Sequence, residues 1–265
     1  MSATPIAEQQ VVLSDGNSVS IWTDVSHIRT KDKRFLSPSH GRAWQSTTGI
    51  DYVFGQTLTI GGGISVARAH TTQFALPGRS ETDSVVGFAR ATAYFFNNFN
   101  ASIIAGYGRG ETDGSRFFLG IPDVYSQDSS VAFVGAQVGA EFENRGFFVS
   151  PSVRLLVSRT DGASVPTSLG AIVLGPQGDL TRLSLGGDIG YRMAVGGLTI
   201  APAIRAFLVH DFDLPIGYTD RTALDLSAVL NVQSGNLNLG VEALQTFGRA
   251  DLSNQVFRGY AMYRF

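Results

Sequence analysis

The feature that most constrains this chain is alternation, present at two scales. From Asn17 onward, twelve stretches repeat with a period of two residues, and the connections between them alternate short and long. A period of two is the signature of a β-strand with two unlike faces. The stretches fall near 18–28, 42–54, 57–70, 83–96, 99–110, 129–143, 147–159, 181–194, 198–211, 222–233, 236–248 and 254–265. In the sixth, Ala132, Val134, Ala136, Val138, Ala140 and Phe142 face one way, while Gln137, Gly139 and Glu141 face the other. In the eighth, Leu183, Leu185, Gly187, Ile189 and Tyr191 oppose Arg182, Ser184, Asp188 and Arg192. In the seventh, Pro151 interrupts an otherwise regular pattern. Proline donates nothing to a ladder, so a kink or bulge is expected there.

The connections decide among the all-β architectures. After every even stretch comes a tight turn: Gly55-Gln56, Asn97-Asn98, Asn144-Arg145-Gly146, Gly196-Gly197 and Gly235. These residues accept positive φ and suit hairpin turns. After the odd stretches the connections are longer and polar, at 29–41, 71–82, 111–128, 160–180, 212–221 and 249–253. Greek-key sandwiches have no reason to alternate so regularly. A transmembrane barrel does, with short turns on the periplasmic side and longer loops outside.

Composition agrees. Only 16% of the 265 residues are charged, against 43% hydrophobic, and a globular domain usually carries about a quarter charged. No run of 18 apolar residues exists, so no helix in the sequence can span a bilayer. Low charge without apolar blocks is what alternating lipid-facing and lumen-facing positions produce. The fold class is therefore all-β: a twelve-stranded antiparallel transmembrane β-barrel of the bacterial outer membrane. Twelve strands lie between a barrel filled by side chains and a wide water channel, leaving room for one polypeptide segment or a small solute.

The charges sort by parity. Arg90, Arg154, Arg182, Arg192, Arg205, Arg258 and Arg264 fall on the face away from lipid, as do Asp51, Glu141, Asp188, Asp225 and Glu242. An Arg on the lipid face near the midplane would cost roughly 2–4 kcal/mol, so a barrel requires this sorting. The expected lumen is wet and Arg-rich. Its charges either brace one another or grip a segment threading the pore, and bracing is expected for most.

No catalytic set stands out. His27, His40, His70 and His210 are scattered, without metal-ligand spacing. Gly63 to Ala67 approaches a nucleophile elbow, but inside a strand. Gly106 to Gly110 has phosphate-loop glycines with no helix after them. His210-Asp211 lacks a nucleophile to serve. The reading is not an enzyme, with no metal and no cofactor. A net charge of −2 points away from nucleic acid, and Cys is absent, which suits an oxidising periplasm.

The last stretch closes on alternating aromatics. Phe257, Gly259, Ala261, Tyr263 and Phe265 share one parity, while Arg258, Tyr260, Met262 and Arg264 fill the other. An aromatic terminal residue would be wasted at a fraying soluble end but belongs in a membrane-interface girdle. Residues 1–16 are polar, with Pro5, Asp15 and Gly16. They read as a linker segment that could lodge in the pore, ahead of a barrel domain over 17–265. Met1 to Pro5 shows neither the basic start nor the apolar core of a secretion signal. An outer-membrane barrel must be exported, so the natural reading frame is expected to continue upstream.

Several of these stretches together resemble the autotransporter β-domain, the translocator of type V secretion. The resemblance covers roughly 17–265. It is carried by Val19 to Thr23 with Trp22, by Gly49 to Asp51 followed by Gly61 to Gly63, and by Pro151 after Gly146 to Phe148. Pro202 with Val209 to Phe212, and Gly259 to Phe265, complete it. The resemblance implies a barrel whose amino-terminal linker occupies the pore and whose upstream passenger is exported to the cell surface. It also implies an assembly signal in the last strand, at Tyr263 and Phe265, read by the outer-membrane insertion machinery. The expected partners are outer-membrane lipid, the chain's own linker and passenger, and that machinery, with the barrel a monomer. The competing reading is a stand-alone channel whose Arg-rich lumen selects anions.

Overall fold

The computed structural model describes residues 16–33, 38–55, 57–74, 77–96, 98–118, 120–213, 220–250 and 252–265. Twelve long strands close into one antiparallel barrel. They are β1 (Ser18–Asp32), β2 (Ser39–Phe54), β3 (Leu58–Gln73), β4 (Gly78–Phe95), β5 (Phe99–Phe118), β6 (Ile121–Ala140), β8 (Phe147–Gly162), β11 (Gly178–Tyr191), β13 (Leu198–Asp211), β14 (Thr222–Ser234), β15 (Leu237–Phe247) and β16 (Leu252–Arg264). Four short pieces complete the set. β7 (Phe142–Asn144) and β12 (Met193–Val195) prolong β6 and β11, and β9 (Val165–Pro166) pairs with β10 (Ile172–Val173) in the loop after β8.

Each long strand pairs with its sequence neighbours, and the last pairs with the first. Ser20 stands opposite Arg264 and Asp32 opposite Leu252, so the β1–β16 seam is hydrogen-bonded along its length. Even the terminal residue is tied down, since the Phe265 N–H donates to the Val19 carbonyl at 2.8 Å. Lipid offers backbone groups no partner, so closure leaves no edge to satisfy.

Turns at the end where β1 begins and β16 finishes are tight. Phe96 (φ 52) and Arg145 (φ 53) take left-handed backbone there without being glycine. Gln56 and Asn97, which the sequence reading also placed in these turns, lie outside the described residues, as do residues 1–15 of the linker.

The opposite end corrects the sequence reading. The stretch 111–128 reads as a polar loop, yet β5 runs to Phe118, β6 starts at Ile121, and Gly120 (φ 81) turns between them. β3 and β4 likewise extend through Gln73 and from Gly78. The reason is physical. A tilted strand crosses the bilayer in about 9–11 residues, whereas β5 and β6 have 20 each. Beyond the lipid the outward face needs no apolar residues, so the period-two signal fades while the backbone ladder continues. Among the described connections at this end, 163–177 alone is a long one that keeps an irregular course.

Pro151 also behaves differently from the expected kink or bulge. It sits in β8, where its missing N–H opens a gap in the facing strand. Pairing stops at Gly139–Ser152 and resumes at Phe142–Val149, with two residues skipped on each side. Equal counts mean no bulge. Pro202 in β13 does the same to its neighbour, because pairing stops at Gly190–Ala203 and resumes at Met193–Ile200. Glu141 and Arg192 occupy the two gaps, and their N–H groups donate to the turn carbonyls of Asn98 and Gly146.

The outward face is apolar through the middle and aromatic near the turns. Phe54, Phe95, Phe99, Phe142, Phe147, Tyr191, Tyr263 and Phe265 form an exposed ring at that rim, the arrangement of a membrane-interface girdle. Inside, large rings lie flat over glycines on the adjacent strand. Tyr260 covers Gly240, Trp22 covers Gly49 and Phe133 covers Gly106, each pair directly opposite in register. Such pairs fix register and fill the space a glycine leaves. A Cβ on Gly240 would fall inside the Tyr260 ring. Gly240→Val is therefore expected to destabilise the barrel by about 1–3 kcal/mol, read from urea unfolding of the refolded chain in lipid vesicles.

Candidate functional site

The inward positions of the strands build the lumen, and ion pairs between adjacent and next-but-one strands organise it. Asp51 on β2 and Arg90 on β4 meet over Gly61 of the intervening β3, where a Cβ would collide with the Asp51 carboxylate. The Arg90 Nε donates to Asp51 at 3.1 Å, and a second, shorter bond joins its terminal nitrogen to the other oxygen. The same guanidinium lies 4.7 Å above the Trp22 ring. Bidentate geometry and a ring face together hold Arg90 in one orientation.

A larger network spans β11, β13, β15, β16 and β1. Arg205 is gripped by Asp188 through bonds of 2.7 and 2.8 Å and reaches Glu242 at 3.1 Å. Glu242 also lies 3.6 Å from Arg258, which pairs with Asp24 at 2.9 Å. Three carboxylates and two guanidiniums thus alternate across five strands. Asp24 was not singled out from sequence. Its parity placed it inward, but only the β1–β16 register brings it beside Arg258, two positions from the directly opposite Tyr260.

The remaining inward charges sit nearer the ends. Arg192 bridges Glu141 at 3.2 Å and Glu143 more tightly, which links the two proline-made gaps at the turn rim. Its guanidinium also covers the Phe148 ring at 5.2 Å. Arg154 lies 4.1 Å over the Phe207 ring. Asp225 accepts from the Thr246 hydroxyl at 2.6 Å. Towards the loop end, Asp211 accepts from Arg182 at 2.6 and 3.0 Å and from Arg249. Arg264 lies half-buried on the inward parity at the turn rim. Tyr263 and Phe265 point outward, their rings 4.9 Å apart.

The lumen is not uniformly polar. Ala201, Ala203 and Val229 pack with Phe148, and Phe207 and Val209 pack with Ala223. Sequence parity marked these positions as inward but did not mark the stripe as apolar. At the turn end, several polar atoms face inward and are buried. Ser18 Oγ, Ser20 Oγ, Thr59 Oγ1, Asn100 Oδ1 and Asn238 Oδ1 find no hydrogen-bond partner among the described residues. A buried polar group without a partner is costly, so this collar is suited to hydrogen-bond something placed in the pore.

The sequence motifs set aside as non-catalytic are structural. Ser65, in the elbow-like stretch, accepts from Thr47 at 3.0 Å and from Gln45 at 2.9 Å inside the barrel. His210 and Asp211 point to opposite faces. The His210 ring bonds Thr222 outside at 3.0 Å, while Asp211 holds arginines inside.

One further inward cluster lies beyond the lipid, close to the β5–β6 tip. Asp123 is fully buried and accepts from the Arg116 Nε at 3.0 Å, the Leu169 N–H at 3.0 Å and the Ser168 hydroxyl at 3.2 Å. The Val124 N–H returns a bond to Ser168 Oγ at 3.0 Å, and Gln127 donates to the Ala163 carbonyl. These bonds pull the 163–177 loop onto the inner face of the β5–β6 extension, at the outer mouth. No sequence motif marked this latch, because its halves lie some 45 residues apart.

Two outcomes follow from these clusters. Arg205→Met leaves the buried Glu242 and the half-buried Asp188 without their shared cation and is expected to cost about 3 kcal/mol, measured by urea unfolding. At Asp123, burial alone would raise the carboxyl pKa, but bonds from Thr167, Leu169, Arg116 and Ser168 outweigh it and hold the group at about 2. A depressed folded value contributes stability that is complete above the ordinary carboxylate range and lost as pH falls through about 2. The 163–177 loop should therefore stay protected from hydrogen exchange at pH 5 and open below about pH 2. Asp123→Asn should open it already at pH 7.

Comparison with known proteins places this architecture. The β-domain of the Bordetella autotransporter BrkA superimposes with a TM-score of 0.79 at 19% identity, covering 94% of this chain and all of the other. The translocator domain of autotransporter NalP from Neisseria meningitidis gives 0.77 at 15% identity, covering 94% and 88%. The transport unit of the autotransporter AIDA-I from Escherichia coli gives 0.73 at 14%, covering 93% and 90%. At these identities the likeness shows the shared fold. No curated protein sequence matches the chain significantly. The family model described as Autotransporter beta-domain matches residues 21–256, and the chain belongs to the autotransporter β-domain family.

Proposed function

We propose that this barrel sits in the outer membrane of a Gram-negative bacterium and supports export of an amino-terminal passenger to the cell surface. Its own linker, residues 1–16, occupies the pore. The observation that carries this reading is the collar of buried polar atoms at the turn end of the lumen that have no partner among the described residues. Ser18 and Ser20 belong to it, and they lie where the chain turns from the linker into β1. A polypeptide backbone entering there supplies both donors and acceptors.

The lumenal arginines act as braces in this reading. Arg90, Arg182, Arg192, Arg205 and Arg258 each hold at least one carboxylate, so their charge is neutralised locally and sets strand positions around a polar pore. That pairing weakens the alternative of a stand-alone anion-selective channel, which needs cations facing the ion path. Tyr263 and Phe265, outward at the closing seam, are the surface that the insertion machinery would read. The barrel works as a monomer, because its seam is already closed by β1 and β16.

The test is topological. The chain is exported behind a signal peptide, with an epitope-tagged segment placed before Ser2, and whole cells are treated with an external protease. The tag is expected to be lost while the barrel stays intact. A tag that becomes sensitive only after the outer membrane is opened would overturn the export reading. Deleting residues 1–16 should then raise single-channel conductance if they occupy the pore.

A further inference from the structure

The outer surface of the barrel carries a feature that export does not use. Above the apolar band, on the outward parity of β1 and β2, Arg29 stands directly opposite Arg42 and Lys31 directly opposite His40. All four side chains are exposed. Cross-strand partners lie only about 4.5–5.5 Å apart at Cα, and like charges directly opposite destabilise a sheet. Here no carboxylate among the described residues relieves them, and Arg29 Nε donates instead to the His27 ring nitrogen at 3.2 Å. Arg29, Lys31 and Arg42 make no ion pair with a carboxylate of the described residues. Their flanking positions in the same rows are neutral on the β16 side, where Gln255 and Ser253 face Arg29 and Lys31. On the β3 side, Arg42 faces His70. The nearest acids beyond it are engaged: Asp83 holds Arg68 at 2.7 Å, and Glu81 reaches Arg68 at 3.3 Å and His70 at 3.6 Å.

The height of this cluster identifies what it can meet. Trp44, 59% exposed, with Val25, Val66 and Phe257, forms the upper edge of the lipid-facing wall on these strands. Arg42 lies two residues beyond Trp44, roughly 7 Å further along the strand. An exposed outward Trp marks the membrane–water interface, so the guanidiniums stand at headgroup level. The basic patch is continuous with the lipid contact surface; Arg79 on β4 adds an exposed cation in the row of Lys31, His40 and Thr72, whereas further round β5 and β6 present Glu111, Asp113 and Asp128. Two guanidiniums set side by side match the oxygens of a phosphate group.

We infer that Arg29, Lys31 and Arg42 form a binding site for the phosphate groups of a phosphorylated glycolipid of the outer leaflet. The bound anion relieves the Arg29–Arg42 repulsion, and the acyl chains lie along the wall below Trp44.

The test uses the refolded full chain in neutral detergent, titrated with lipid A, with lipid A stripped of its phosphates, and with inorganic phosphate. Wild type is expected to bind lipid A and to unfold at a higher temperature with it. Each cation near an anionic surface contributes about fivefold in affinity, so R29Q/R42Q should bind roughly 30-fold more weakly. A folded variant is verified by its compact, heat-sensitive gel migration before titration. The acidic-sector variant D113N/D128N changes net charge by the same amount in the opposite direction and should leave lipid A affinity unchanged. Equal binding by R29Q/R42Q, or by the stripped lipid, would overturn the site. Tighter binding by D113N/D128N to the same degree would reduce it to bulk attraction, and binding of inorganic phosphate as strong as that of lipid A would refute a lipid ligand.

Discussion

Everything in this molecule depends on one requirement: within hydrocarbon, each backbone N–H and C=O must find its partner inside the protein. A sheet meets that demand only by closing on itself, and the β1–β16 ladder is where it closes. Closure then dictates the rest. It forces alternate side chains outward to lipid and inward to a confined space. It places the start of β1 and the end of β16 at one rim, and it turns every imperfection of the ladder into a local event with visible consequences. Pro151 and Pro202 are the clearest case. Each removes a donor, each opens a gap in the facing strand, and the two gaps admit Glu141 and Arg192, which pair with each other.

The inward space is governed by electrostatics more than by packing. Ion pairs join adjacent and next-but-one strands through local braces, among them Arg205 with Asp188 and Glu242 and the buried Asp211 with Arg182 and Arg249. Such pairs are weak evidence for net stability, because desolvation offsets attraction, but losing one partner is expensive. They therefore fix which side chain sits where. Rings laid over glycines do the same by shape. What remains after braces and rings are counted is a polar collar at the turn rim and a latched loop at the mouth. Both present hydrogen-bonding groups directed away from the ladder.

The outer surface divides by height. Apolar residues and aromatic rings meet lipid, and above them the outward face is free to carry charge. Basic residues gather on β1 and β2 and acidic ones on β5 and β6, although the backbone at that height is equally regular in both sectors. The sheet supports the charges, and the bilayer edge gives them different neighbours.

The strand count and the face of each residue were legible in the chain, because a side-chain period of two is enforced wherever one face meets lipid and the other meets water. Parity sorted Arg90, Asp51 and Arg205 away from lipid for that reason. The same reasoning lost the outer halves of β5 and β6, where water bathes both faces and the pattern lapses although pairing does not. Parity also says nothing about partners. Arg205 could have faced any inward acid. Only the register of β11 against β13, and the width of a twelve-stranded ring, put Asp188 and Glu242 on either side of it. The Asp123 latch was invisible for the same cause, since its halves are distant in sequence and neighbours only across the mouth. The sequence by itself thus determined the architecture and the two faces, through a local repeat that lipid makes obligatory. The tertiary structure alone decided which charges meet, because pairing across strands depends on register and closure, and those are properties of the whole ring.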